Sequence, residues 1–339
     1  MKGERIVQLK NYTYNSFFRM LTLYHGTSKT LKIPEVIEGY SIEKIGSKMF
    51  AKHEKIKKVI FPNSVYKLGF SIFFNNKVIE ECVLPSDVKV LPRETFYGCT
   101  SLNNVELPPK LEIIETDAFK NCVSLPIIAL PSTLSEIGEF AFKNCSMVKY
   151  IIIPSGVKTL PIEVFSGCTS LSVVVLNSGL ITISDFAFKN CVNIKELTLP
   201  NTVKTIGNYA FQNCKKLNNF TFPTSIKKIG KGIFNNCQHL MKVSSFPAIK
   251  VIPEDTFYSC VNLTDIEIPE GVEVIKRNAF SFCSSLRSIT FPKSLKKIER
   301  HAFLNCTLLE EVIFKGDTEV DELAFINCIK YSDIAIDAL

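Results

Sequence analysis

Residues Leu134 to Pro154 read LSEIGEFAFKNCSMVKYIIIP, and this stretch decides how the chain is built. Its second half, Val148-x-x-Ile151-x-Ile153, has the period-two alternation of a half-buried strand. Pro154 then withdraws a backbone donor and ends the ladder. The first half carries Leu134, Ile137, Ala141, Phe142 and Cys145 at spacings of three to five, which predicts one or two tight helical turns on the opposite side. One such segment cannot bury a phenylalanine, a thiol and its aliphatics by itself, so neighbouring copies are required.

The copies are present. Aligning the Phe-x-x-Cys tetrads gives Phe96, Phe119, Phe142, Phe165, Phe188, Phe211, Phe234, Phe257, Phe280 and Phe303 at a constant step of 23 residues, then Phe325 at 22. The same step backward reaches Phe73 and Phe50. A period of this length is that of leucine-rich repeats. The predicted fold is therefore an α/β repeat, a leucine-rich repeat solenoid (horseshoe) with a parallel concave β-sheet and short helical turns on the convex side. Residues 1–30 follow no repeat and are expected to form an N-terminal cap. Residues 31–339 are expected to form one continuous solenoid of about thirteen units.

The position after the second aliphatic is Gly46, Gly69, Gly138, Gly207 or Gly230 in some units and Pro92, Pro161 or Pro253 in others. Proline fixes φ near −65°, so no left-handed residue is required there. Glu94, Glu163 and Glu254 follow these prolines closely, a pattern that predicts proline opening a helical turn with an acid near its positive end. The asparagine before each cysteine, as in Asn121, Asn144 and Asn213, is expected to bond backbone groups of the turn.

The motif Ala-Phe-x-Asn-Cys-x-x-Leu-x-x-Ile-x-Leu-Pro, nearly intact at Ala118–Pro131, Ala187–Pro200 and Ala210–Pro223, resembles the BspA-like leucine-rich repeats of bacterial and protist surface proteins. The resemblance implies display at the cell surface and adhesion to host or extracellular-matrix proteins such as fibronectin. His53 and Asn76 depart from it where cysteine is expected, and Asn177, Lys315 and Asp337 replace the strand-ending proline.

Composition narrows the function classes. With 46% hydrophobic and 22% charged residues the chain has the material of a packed core rather than of disorder. Its net charge of +7 comes from dispersed pairs such as Lys57-Lys58 and Lys296-Lys297, which decorate a solvated face, so no nucleic-acid partner is expected. No run approaches a membrane span, and Met1 to Phe18 lacks the apolar stretch of a signal peptide. A soluble chain without membrane insertion is expected, and a cytoplasmic location stands beside the cell surface as the alternative.

Of twelve cysteines, Cys99 to Cys328 hold one repeat position and Cys82 an inward strand position, a pattern that predicts a buried structural column. There is no CxxC, and His25, His53, His239 and His301 are scattered, so no metal site and no cofactor is expected. Asp265 and Glu267 share one side of a strand but read as a solvated face. Neither a nucleophile elbow nor a phosphate loop occurs, so no catalytic residue is assigned and no enzyme activity is expected.

Side chains flanking the middle aliphatic of each strand point outward. Most pairs are polar, for example Asn104 and Glu106, Glu196 and Thr198, or Ser288 and Thr290. Three successive pairs are apolar: Ile127 with Ala129, Tyr150 with Ile152, and Val173 with Val175. They are the candidate partner-binding residues, for a protein partner or for a homodimer. A last strand near the C-terminus, with Tyr331, Asp333, Ile334 and Ala335, is expected to offer an uncovered self-association edge. The expected function is protein binding in surface adhesion, with an intracellular scaffold or adaptor as the alternative, since a thiol column suits a reducing compartment.

Overall fold

In the computed structural model, which describes residues 6–247 and 249–328, the strand expected between Val148 and Ile153 forms at Tyr150–Ile152. Ile151 is buried and its two neighbours are exposed, as the pleat requires. The chain divides into two units, Met1–Leu171 and Ser172–Leu339.

In the first unit, Thr30–Lys32, Lys58–Ile60, Glu81–Val83 and Asn104–Glu106 pair in parallel, with Lys58 opposite Glu81 and Glu81 opposite Asn104. In the second, Asn219–Thr221 pairs with Lys242–Ser244, which pairs with Asp265–Ile266. The constant register follows from the constant repeat length. This is a parallel-strand solenoid of stacked coils.

A second strand column runs where helical turns were expected. Lys44–Ile45 pairs with Lys67–Leu68, and Val90–Leu91, Ile113–Ile114 and Glu136–Ile137 continue the column in the first unit. Thr182–Ile183, Thr205–Ile206 and Lys228–Ile229 do so in the second. The three-residue spacing of Leu134 and Ile137 thus belongs to a turn entering a two-residue strand, not to a helix.

The described residues contain no helix, which corrects the helical turns expected on the far side. Ser71, Glu94, Asp117, Phe140 and Glu163 have φ between 50° and 59°, and four residues later Asn75, Gly98, Asn121, Asn144 and Gly167 lie between 55° and 78°. An α-helix needs an unbroken run of right-handed residues, and a left-handed residue at both ends of each five-residue span forbids it. Glu94 and Glu163 are therefore left-handed turn residues rather than helix-opening acids, and after Pro253 the left-handed residue is Asp255.

Hydrogen bonding between coils stabilises this strained backbone. The N–H groups of Glu94, Phe96 and Gly98 donate to the carbonyls of Thr116, Ala118 and Lys120 on the next coil at 3.1, 2.8 and 2.8 Å. Those of Thr95, Tyr97 and Cys99 instead close turns within the coil, to Pro92, Glu94 and Phe96. A helix would keep every donor within its own segment, whereas the alternating pattern sends half of them across to a neighbour and satisfies all of them. The asparagine side chains also bond between coils: Asn144 Nδ2 donates to Asn121 Oδ1 at 2.9 Å, and Asn213 and Asn236 each donate to the asparagine one coil back. Asparagine was expected to bond backbone groups; it forms a side-chain ladder while its own backbone takes the left-handed conformation it tolerates best.

The core consists of columns. From Phe50 to Phe165, successive rings of the first unit stack with centroids 5.2 to 5.6 Å apart. The second unit repeats this from Phe188 to Phe325. The thiols follow suit, since Cys145 Sγ donates to the Phe119 carbonyl at 3.1 Å and Cys122 Sγ to that of Phe96 at 3.1 Å. At the two positions that lack cysteine, Asn76 Nδ2 donates to the Phe50 carbonyl at 3.0 Å and His53 Nε2 lies 3.1 Å from the Gly26 carbonyl.

Before the first coil, Ile6–Leu9, Tyr12–Asn15 and Met20–Tyr24 form an antiparallel meander. Met20 and Leu21 pair in parallel with Lys44 and Ile45, and the Tyr24 ring packs edge-on against Phe50 at 5.9 Å.

Candidate protein-binding surface

Alternation along each three-residue strand sends one side chain inward and its two neighbours outward. In the first unit the outward pairs are Lys58 with Ile60, Glu81 with Val83, Asn104 with Glu106, Ile127 with Ala129, and Tyr150 with Ile152. Lys58 and Glu81 join across neighbouring strands at 2.6 Å, so the early positions form a hydrated, charge-paired face. The last two pairs differ. Ile127, Tyr150 and Ile152 are exposed by 48, 39 and 56%, Ala129 is exposed, and Ile128 and Ile151 between them are buried. Residues 126–130 keep this alternation while standing outside the strand ladder, because Pro126 has no N–H to donate; its carbonyl still accepts the Lys149 N–H at 3.2 Å.

In the second unit Val173 and Val175 are exposed by 53 and 48%, and they line a shallow hollow of about 700 Å³ together with Lys195, Glu196, Thr198 and Pro200. Further along, the outward positions are polar. Asn219 and Thr221 are exposed, Lys242 pairs with Asp265 at 2.6 Å, and Ser288 and Thr290 are exposed. Tyr331, Asp333, Ile334 and Ala335, the expected self-association edge, lie outside the described residues.

Burial pushes the Cys168 thiol up to about 12 and raises those of Cys145 and Cys237 well above the ordinary value, which disfavours the nucleophilic thiolate. Among the described residues no three histidine, cysteine or carboxylate side chains are placed to hold a metal ion, and no helix is long and apolar enough to cross a membrane. One feature escaped the sequence reading: an open cleft in the first unit rimmed by Phe18, Tyr66 and Phe70.

A repeat-family model described as BspA type leucine rich repeat region, in six copies, matches residues 24–149, 89–218, 135–260 and 250–338. The chain belongs to the BspA-type leucine-rich repeat family. As a BspA-type solenoid it is similar to the crystal structure of a leucine-rich repeat protein from Bacteroides ovatus, at 27% identity and a TM-score of 0.77, over 97% of this chain and 91% of that one. A leucine rich cell surface protein from Faecalibacterium prausnitzii is similar at 25% identity and a TM-score of 0.53, over 93% and 96% of the two chains. A leucine-rich repeat protein from Eubacterium ventriosum shares the fold, at 17% identity and a TM-score of 0.51, over 96% and 94%. No curated protein matches the chain. Membership in the BspA-type family points to protein binding, the use to which solenoids put their long stacked faces.

Proposed function

We propose that this solenoid binds a protein partner through its outward strand residues and serves in adhesion at a cell surface, toward a host or extracellular-matrix protein. The observation that carries the reading is the exposure of Ile127, Ala129, Tyr150 and Ile152 in a unit whose other outward positions are largely polar or charge-paired. Exposed apolar side chains of this kind mark interaction sites on proteins that are otherwise well hydrated. Val173 and Val175 of the second unit extend the same preference. The likeness to a Faecalibacterium cell surface protein supports display on the outside of a cell. Residues 1–30 serve in this reading as the N-terminal cap, and residues 31–339 as the continuous binding solenoid.

A second reading, an intracellular scaffold, rests on a different observation. All twelve cysteines are buried and none is in a disulfide, a state that suits a reducing compartment. Labelling intact cells with a membrane-impermeant reagent separates the two, since complete protection of the protein contradicts adhesion.

The surface itself is tested by Tyr150→Asp with Ile152→Asp in one variant and Val173→Asp in another. Capture on immobilised fibronectin-containing matrix and mass in solution by light scattering are measured on each. Loss of capture at unchanged mass supports partner binding, and a drop from dimer to monomer assigns the residues to a homodimer. Unchanged values in both assays remove the proposal.

A further inference from the structure

The first unit carries an open cleft of about 1020 Å³ on the column of two-residue strands, not on the three-residue column that holds Tyr150. Phe18, Tyr66 and Phe70 on its rim are exposed by 40, 50 and 39%. One and two coils further on, the position of Tyr66 holds Lys89 and Glu112, and that of Phe70 holds Arg93 and Thr116. Large rings thus replace hydrophilic side chains here, and Phe18 of the N-terminal meander joins them.

Three cations line the same space without a carboxylate partner among the described residues. Lys44 Nζ lies over the Tyr66 ring at 5.7 Å, the Arg93 guanidinium over the Phe70 ring at 4.8 Å, and Lys67 forms no ion pair. The acids of the cleft are already engaged. Asp87 accepts from Lys110 at 2.7 Å, and Glu115 accepts the Arg93 backbone N–H at 2.8 Å.

We propose that this cleft binds an acidic peptide segment of a partner protein, in which a large apolar side chain sits beside the carboxylates. The rings supply apolar area, and Tyr66 and Phe70 are held by their cation contacts, so little of their side-chain freedom is lost on binding. The Arg93 fork and the Lys67 ammonium are placed to receive carboxylates, Arg93 in bidentate fashion. A cleft of about 1020 Å³ accommodates several residues of an extended chain. A uniform polyanion, such as a sulfated polysaccharide or a nucleic acid, is disfavoured because Asp87 and Glu115 add negative charge to the same cleft, whereas a peptide carries few charges and offers apolar side chains to the rings. This site is independent of the surface around Tyr150 and stands or falls without it.

The test uses the full chain and fluorescence anisotropy of a fluorescein-labelled octapeptide of alternating glutamate and phenylalanine. Its glutamine-for-glutamate counterpart and dextran sulfate serve as comparisons. Binding to the wild-type chain is expected to weaken by about tenfold or more in Lys67→Glu with Arg93→Glu, in Tyr66→Ser with Phe70→Ser, with the glutamine peptide, and at raised salt. Tyr150→Asp should leave it unchanged. Melting followed by circular dichroism checks folding, and if a reversed-charge or serine pair melts early, Lys67→Gln with Arg93→Gln is read in its place. The proposal is overturned if the octapeptide does not bind, if neither pair weakens it, if Tyr150→Asp weakens it equally, or if dextran sulfate binds and the peptide does not.

Discussion

Replacing Cys145 separates two roles that a buried thiol can play. Its side chain is fully enclosed, and Sγ donates to the Phe119 carbonyl at 3.1 Å while that carbonyl also accepts the Cys122 N–H at 3.0 Å. Cys145→Ala removes a buried group of roughly methylene size, which costs about 1 kcal/mol with its residual cavity. Loss of a weak donor to an acceptor that retains one other partner adds up to about 1 kcal/mol, for a total of about 1 to 2 kcal/mol. Cys145→Ser keeps a donor opposite the same carbonyl, which offsets part of the hydroxyl's desolvation, so its expected cost is about 1 kcal/mol and no greater than that of alanine. If the thiol served only as a small hydrophobe, the order would reverse, because serine would bury an unpaired hydroxyl while alanine would lose only area. Asn76 places a nitrogen on the Phe50 carbonyl one coil back and His53 Nε2 lies 3.1 Å from the Gly26 carbonyl of the preceding segment, which argues that the donor is the property this position uses. Urea denaturation followed by circular dichroism, at neutral pH and with m compared among variants, measures the difference. A serine variant less stable than the alanine variant by 1 kcal/mol or more would falsify the donor role.

Burial raises the thiols of Cys82, Cys99, Cys122, Cys145, Cys168, Cys214, Cys237, Cys260, Cys283 and Cys306 above their ordinary value of 9.0. The folded chain therefore favours the neutral thiol, so their contribution is complete below pH 9 and declines above it by up to about 1.4 kcal/mol per thiol per pH unit, and a melting temperature that stays flat between pH 8 and 10.5 contradicts this. Asn144 sits at φ 60° and donates to Asn121, so Asn144→Ala should cost about 1 to 2 kcal/mol, whereas Asn144→Gly loses the bond but not the conformation. An alanine variant as stable as the glycine one by denaturation counts against the left-handed turn. A Cβ on Gly138 would meet the Thr116 nitrogen at 2.4 Å, so Gly138→Ala should force the coils apart and cost about 1 to 3 kcal/mol, and an unchanged urea midpoint refutes that packing.

The buried columns were legible residue by residue because each recurs at a fixed step and is uniformly apolar. Phe142, Cys145 and Ile151 need no partner other than their own copies, so a single period reports both their burial and their contacts. The left-handed turns were not legible. Ser71, Glu94, Asp117, Phe140 and Glu163 share a backbone conformation but no side-chain chemistry. What holds them there is a hydrogen bond to the next coil, as from Glu94 N–H to Thr116, and a local propensity rule cannot see a partner 22 residues away. Proline followed by an acid therefore read as the start of a helix. The outward positions of Ile127, Tyr150 and Ile152 followed from strand alternation alone, and their exposure agrees with it. The cleft did not follow, because Phe18 belongs to a segment outside the repeat, and the pairing of Met20–Leu21 with Lys44–Ile45 brings it to the cleft that Tyr66 and Phe70 line.

By itself the amino-acid order determined that this is a stacked repeat, which residues it buries and which side chains its longer strands turn outward, because periodicity in a linear chain becomes position in a solenoid. Only the tertiary structure decided how the far side of each coil is closed. Donors there are shared between coils, so the choice between a helical turn and a left-handed turn depends on a neighbour and not on the residues of the turn. The same holds for the basic, ring-lined cleft, whose walls come from segments that the repeat pattern does not connect.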